Sequence, residues 1–64
     1  MGILFIFMRL NEIVKYRDSN EYGHLTGVVV IIHGKKWLTV KWSDNVNVRE
    51  HVDDLIFTGR VQKG

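Results

Sequence analysis

The chain of 64 residues contains no cysteine and no proline. The first absence rules out a disulfide framework and any thiolate metal site. The second rules out polyproline segments and proline linkers, so turns fall to Gly, Asn and Asp. Charge of one sign is also scarce: nine basic side chains face seven acidic ones, for a formal net charge of +2. A dedicated nonspecific DNA binder carries a denser basic stripe, so this balance permits nucleic acid without arguing for it. No apolar run approaches the roughly 20 residues of a membrane-spanning helix, so no integral membrane segment is expected. A chain this short has one small core and buries only about 60% of its unfolded surface. The lack of cysteine fits a reducing compartment, and a cytoplasmic location is the expectation.

What is present is the stretch LTGVVVIIHGKKWLTVKW, residues 25–42, which reads as one long β-hairpin. Residues 28–32 are an unbroken β-branched run, stiff at χ1 and suited to a pleated surface. Gly34-Lys35 fits a two-residue type II′ turn. Leu38, Val40 and Trp42 then alternate with Trp37, Thr39 and Lys41, and form the expected core face. A two-residue loop sets Val29 opposite Val40 and Ile31 opposite Leu38. A three-residue loop slips the register by one. With either loop, at least two apolar residues of the first strand face away from the core. A strand apolar on both sides needs a second layer, from the same chain curling into a barrel or from another molecule.

Around this hairpin, residues 9–17 (RLNEIVKYR) read as a first strand, with Leu10, Ile13 or Val14, and Tyr16 pointing inward. Residues 18–24 form a polar loop in which Tyr22 and His24 are best placed to touch a ligand. Ser43-Asp44-Asn45 marks a turn. Residues 47–52 form a short strand with Val48 and Val52 inward. Residues 52–55 make a single helical turn that leads into a last short strand at 55–57. Residues 59–64 are expected to be a flexible tail. The apolar leader MGILFIF, residues 1–7, has three competing readings. Met8 is the natural start, or the leader is an extra strand, or it docks on a partner. Left bare, such a segment promotes aggregation.

The expected fold is therefore all-β: a small SH3-like barrel of about five antiparallel strands spanning residues 8–58, with a one-turn helix before the last strand. Four stretches carry a family resemblance: EIVKYR at 12–17, GVV at 27–29, LTVKWSD at 38–44 and EHVDDL at 50–55. Their pattern resembles the small SH3-like barrel proteins encoded by tailed bacteriophages. It departs from that pattern at Asn11-Glu12, where Gly-Asp is usual. The resemblance covers residues 10–57 and implies architecture rather than chemistry, because most such proteins have no assigned activity. It also implies a host cytoplasm or virion location.

Catalysis is not expected. Both serines sit in turns, and an interior this small leaves little room for a nucleophile, a base and a substrate. The three histidines and the aspartates lack any metal-ligand spacing, and no cofactor or small-molecule substrate is expected. Tyr22 and Trp37 alone make a poor aromatic cage. Two contact readings remain. In the first, a protein partner or a second copy is bound through Trp37 with Val30 and Ile32, extended by Ile3, Phe5 and Phe7. In the second, nucleic acid is bound by Lys35, Lys36, Trp37, Lys41 and Arg49. A contiguous apolar patch around Trp37 favours protein, whereas a basic stripe there favours nucleic acid.

Overall fold

The computed structural model describes residues 8–18 and 23–63. They form five antiparallel strands in a single sheet, one 3₁₀ turn and no α-helix. The strands are β1 (Glu12–Tyr16), β2 (Thr26–Ile32), β3 (Trp37–Trp42), β4 (Asn47–His51) and β5 (Leu55–Val61), and the 3₁₀ turn is Val52–Asp54. The sheet order is β4-β3-β2-β1-β5, which is compatible with a small barrel.

The interior is built by alternation. Leu38, Val40 and Trp42 all point inward from β3, as the sequence predicts, and they pack with Val14, Val29, Val52 and Leu55. Met8, Tyr16, Leu25, Val48 and Phe57 pack around this cluster. Two charged side chains also lie inside, Glu12 and Glu50, only 3% and 8% exposed. Glu50 accepts hydrogen bonds from the Tyr16 hydroxyl and from Trp42 Nε1, the latter at 3.2 Å. Tyr16 stacks on Trp42, with ring centroids 4.1 Å apart and planes at 15°. Two strands separate β1 from β4 in the sheet, so a Tyr16–Glu50 bond requires the sheet to curl until their inner faces meet.

The β2–β3 hairpin departs from the expected two-residue loop. His33 N–H donates to Trp37 O at 2.9 Å, so the loop is Gly34-Lys35-Lys36, with Gly34 at φ +125°. Ile32 therefore opposes Leu38, and Ile31 opposes Thr39 rather than Leu38. Further along, Val29 opposes Val40 and Val28 opposes Lys41, because the register shifts between Val29 and Ile31. A bulge that accommodates Val30 absorbs the extra loop residue. It returns Val29 to the inner face, where a one-residue slip would have expelled it.

Other expectations change for local reasons. The first strand begins at Glu12, not residue 9, because Asn11 adopts a left-handed backbone (φ 69°), and this leaves Leu10 exposed. The inward alternative at 13–14 is Val14. The last strand runs on to Val61, so residues 59–61 are strand rather than tail. Their pairing with β1 is irregular between Glu12 and Val14, and Gly59 turns there at φ +79°. The Glu12 carboxylate holds this irregularity together. It accepts from Gly59 N–H at 3.0 Å and from Arg9 Nε at 3.2 Å, while Arg9 Nη2 donates to Gly59 O. Gln62 N–H then donates to Asn11 O. The Ser43–Asn45 turn and the 3₁₀ turn lie where the sequence places them. Asn45 takes the left-handed position (φ 68°) that Asn tolerates, and the His51 side chain caps the 3₁₀ turn by accepting from Asp53 N–H at 3.1 Å.

Curling was expected to cover both apolar faces of residues 28–32. It covers one. Val29 is fully buried, whereas Val30, Ile31 and Ile32 are exposed among the described residues. The curl leaves Ile31 on the convex outer face and Val30 at the bulge, whereas Ile32, opposite the inward Leu38, is exposed because it lies at the end of β2.

Gly27 permits the tightest part of this packing. A Cβ there would collide with Val40 Cγ1 and lie 2.7 Å from Trp42 Cε3. Gly27→Ala should therefore destabilise the fold by about 1–3 kcal/mol, read as a lower urea midpoint. An unchanged midpoint would contradict the close approach of β2 to the Trp42 ring.

Candidate functional site

The register fixes which side chains share the outer face. Across β2, β3 and β4 the first rung holds His33, Trp37 and His51, the second Ile31, Thr39 and Arg49, and the third Val28, Lys41 and Asn47. Ile13 and Lys15 of β1 and Ile56 of β5 continue the same face.

Trp37 is 43% exposed, whereas Trp42 is 2% exposed, so the two indoles have separate jobs. The Arg49 guanidinium carbon lies 5.6 Å from the centroid of the Trp37 ring. The His51 ring meets Trp37 edge-on, with centroids 4.9 Å apart. His33 Nε2 and Thr39 Oγ1 are 2.6 Å apart. The immediate strand neighbours of Trp37 are thus cationic or polar, and the apolar residues lie to one side along β2.

The structure brings together Trp37, Lys41 and Arg49 of the sequence-predicted set. It places Lys35 and Lys36 in the exposed loop beyond them, where Lys36 O accepts from Val52 N–H at 2.9 Å. Val30 and Ile32 are exposed near the same end of the hairpin, but the three-residue loop sets Ile32 opposite Leu38 and so on the other face from Trp37; Ile31 takes the outward place expected of Ile32. Ile3, Phe5 and Phe7, and Tyr22 of the Tyr22–Trp37 aromatic pair, lie outside the described residues. Sequence reasoning missed Ile31 as a surface residue because a two-residue loop would have pointed it at the core. It also passed over His51 as a neighbour of Trp37, although both the 49–51 alternation and the hairpin pattern hold the signal.

A groove of about 540 Å³ opens beside Lys41. Ile13, Val28 and Val30 supply apolar wall, and Asn11, Asn45 and Gln62 supply amides. Every buried side-chain nitrogen or oxygen among the described residues has a hydrogen-bond partner. No cluster of three His, Asp or Glu side chains able to hold a metal occurs among them. No helix among them is long and apolar enough to cross a membrane. Comparison with protein-family models, curated proteins and solved structures returns no match.

The separation of the two indoles is directly measurable. Trp37→Ala should cost less than about 1 kcal/mol of stability, since it removes an exposed ring and one exposed cation–π contact. Trp42→Ala should cost about 3–5 kcal/mol, because it empties the interior. Equal losses in chemical denaturation would contradict this division.

Proposed function

We propose that this chain is a non-catalytic SH3-like barrel of the kind it resembles in tailed phages, and that it works as a protein-interaction module. The reading is supported by one observation above all. Val30, Ile31 and Ile32 stay exposed at the distal end of β2, near the exposed Trp37 of β3, while Val29 of the same run is fully buried. Between 37% and 50% of each β2 side chain is still exposed, so a partner that covers it can recover about 1 kcal/mol per residue.

Backbone geometry supports the same place. β1 pairs with β2 only across Thr26–Val28, and Asn11 N–H then donates to Val29 O. At Asn11 the chain turns away, so β1 gives residues 30–32 no ladder partner. Among the described residues this edge of an apolar strand is unpaired, and such an edge is suited to strand addition by another chain. A second copy that supplies its own apolar segment, with Ile3, Phe5 and Phe7, is the form of this contact the sequence favours. Trp37 would flank it as an anchor.

Solution mass tests the proposal. The full chain should exceed monomer mass, and both a chain starting at Met8 and the full chain carrying Ile31→Lys should move towards monomer. Unchanged masses in both variants, together with an unchanged set of co-purifying proteins, would overturn it.

A further inference from the structure

Each of the five strands contributes residues to the outer face, yet that face carries no strand carboxylate. The strands contain only two acidic residues, Glu12 and Glu50, and both are buried on the inner side. The remaining described carboxylates, Asp18, Asp44, Asp53 and Asp54, lie in loops, in turns or on the 3₁₀ segment. The outer face itself presents Lys15, Lys41 and Arg49, with His33 and His51 beside Trp37. Among the described residues, the strand-borne charges of this face are thus of one sign, with the turn residue Asp53 at its rim, its carboxylate 3.6 Å from His51 Nδ1. Net charge alone hides this segregation.

We infer that this face, from Trp37 past Arg49 to Lys41 and the adjoining groove, binds single-stranded nucleic acid. The site goes beyond the protein contact proposed above: the two share Trp37 and Val30, but that contact is carried by the open edge of residues 30–32 and this one by the cations and amides of the outer face. Three features favour an unpaired strand over an acidic peptide. Trp37 is a half-exposed indole held in place by Arg49 and His51, which suits stacking of a base. Alternate residues of β3 lie about 6.8 Å apart. Trp37, Thr39 and Lys41 therefore follow a backbone at roughly one nucleotide per pair of residues. Beyond Lys41, the amides of Asn11, Asn45 and Gln62 offer donors and acceptors to base edges in a groove with an apolar wall. A carboxylate-rich peptide would use the cations and leave the indole and the amides idle.

The test is fluorescence polarisation of the full chain with a labelled oligothymidylate of about 12 nucleotides, within the range of small-barrel site sizes. Affinity should fall roughly tenfold or more between about 50 and 200 mM salt, as expected for three phosphate contacts. Trp37→Ala should weaken binding roughly fivefold or more, the loss of one stacked base. Lys41→Gln and Arg49→Gln should each lower the salt slope by about 0.7. Ile31→Lys, which tests the protein contact, should not weaken binding, so the two proposals fail separately. Absence of binding at low salt would overturn the inference. So would equal affinity for duplex DNA, equal displacement by polyglutamate, or indifference to Trp37→Ala.

Discussion

The hydrogen bond from the Tyr16 hydroxyl to the Glu50 carboxylate is the contact on which the shape of this molecule rests. It joins β1 to β4, which the sheet order holds apart by two strands. A flat sheet could not make it. The Trp42 indole lies between them, stacked on Tyr16 and donating to the same carboxylate. Gly27 leaves room for that ring. The apolar cluster then follows from the curl, because Val14, Val29, Leu38 and Val40 point to the same concave side. Burying a carboxylate is costly in itself, so its value here is specificity. Few arrangements other than this one satisfy Glu50 with two donors.

The same arrangement sets the surface. Drawing Glu12 and Glu50 inward takes both strand carboxylates off the outer face, where Lys15, Lys41 and Arg49 remain. Interior and exterior electrostatics are therefore one design, not two. The bulge at Val30 works in a similar way. It keeps Val29 inside despite a three-residue loop, and in doing so it leaves the end of β2 apolar and uncovered.

Much of this was legible in the residues because it depends on period. The alternation from Trp37 to Trp42 identifies the buried and exposed indoles, and the β-branched run identifies β2. Val52-Asp53-Asp54 after a His marks the 3₁₀ turn. The bulge was not legible, since loops of two and three residues both fit HGKKW and only the cost of expelling Val29 decides. Glu12 and Glu50 were passed over because local polarity argues for water. Yet Val48, Glu50 and Val52 share one parity, and that parity was the better guide. The extension of β5 to Val61 looks polar in sequence. Its pairing depends on Glu12 reaching Gly59, a contact 47 residues distant in the chain.

For the site, Trp37, Lys41 and Arg49 could be grouped from spacing alone, whereas their isolation from negative charge required knowing where Glu12 and Glu50 point. A double-mutant cycle with Tyr16→Phe and Glu50→Met, followed by urea unfolding, addresses the central contact directly. The cross-sheet bond predicts a coupling energy of about 1–3 kcal/mol between the two sites. Costs that add to within about 0.5 kcal/mol would mean that Tyr16 and Glu50 act independently, and the account of how the sheet closes would be wrong.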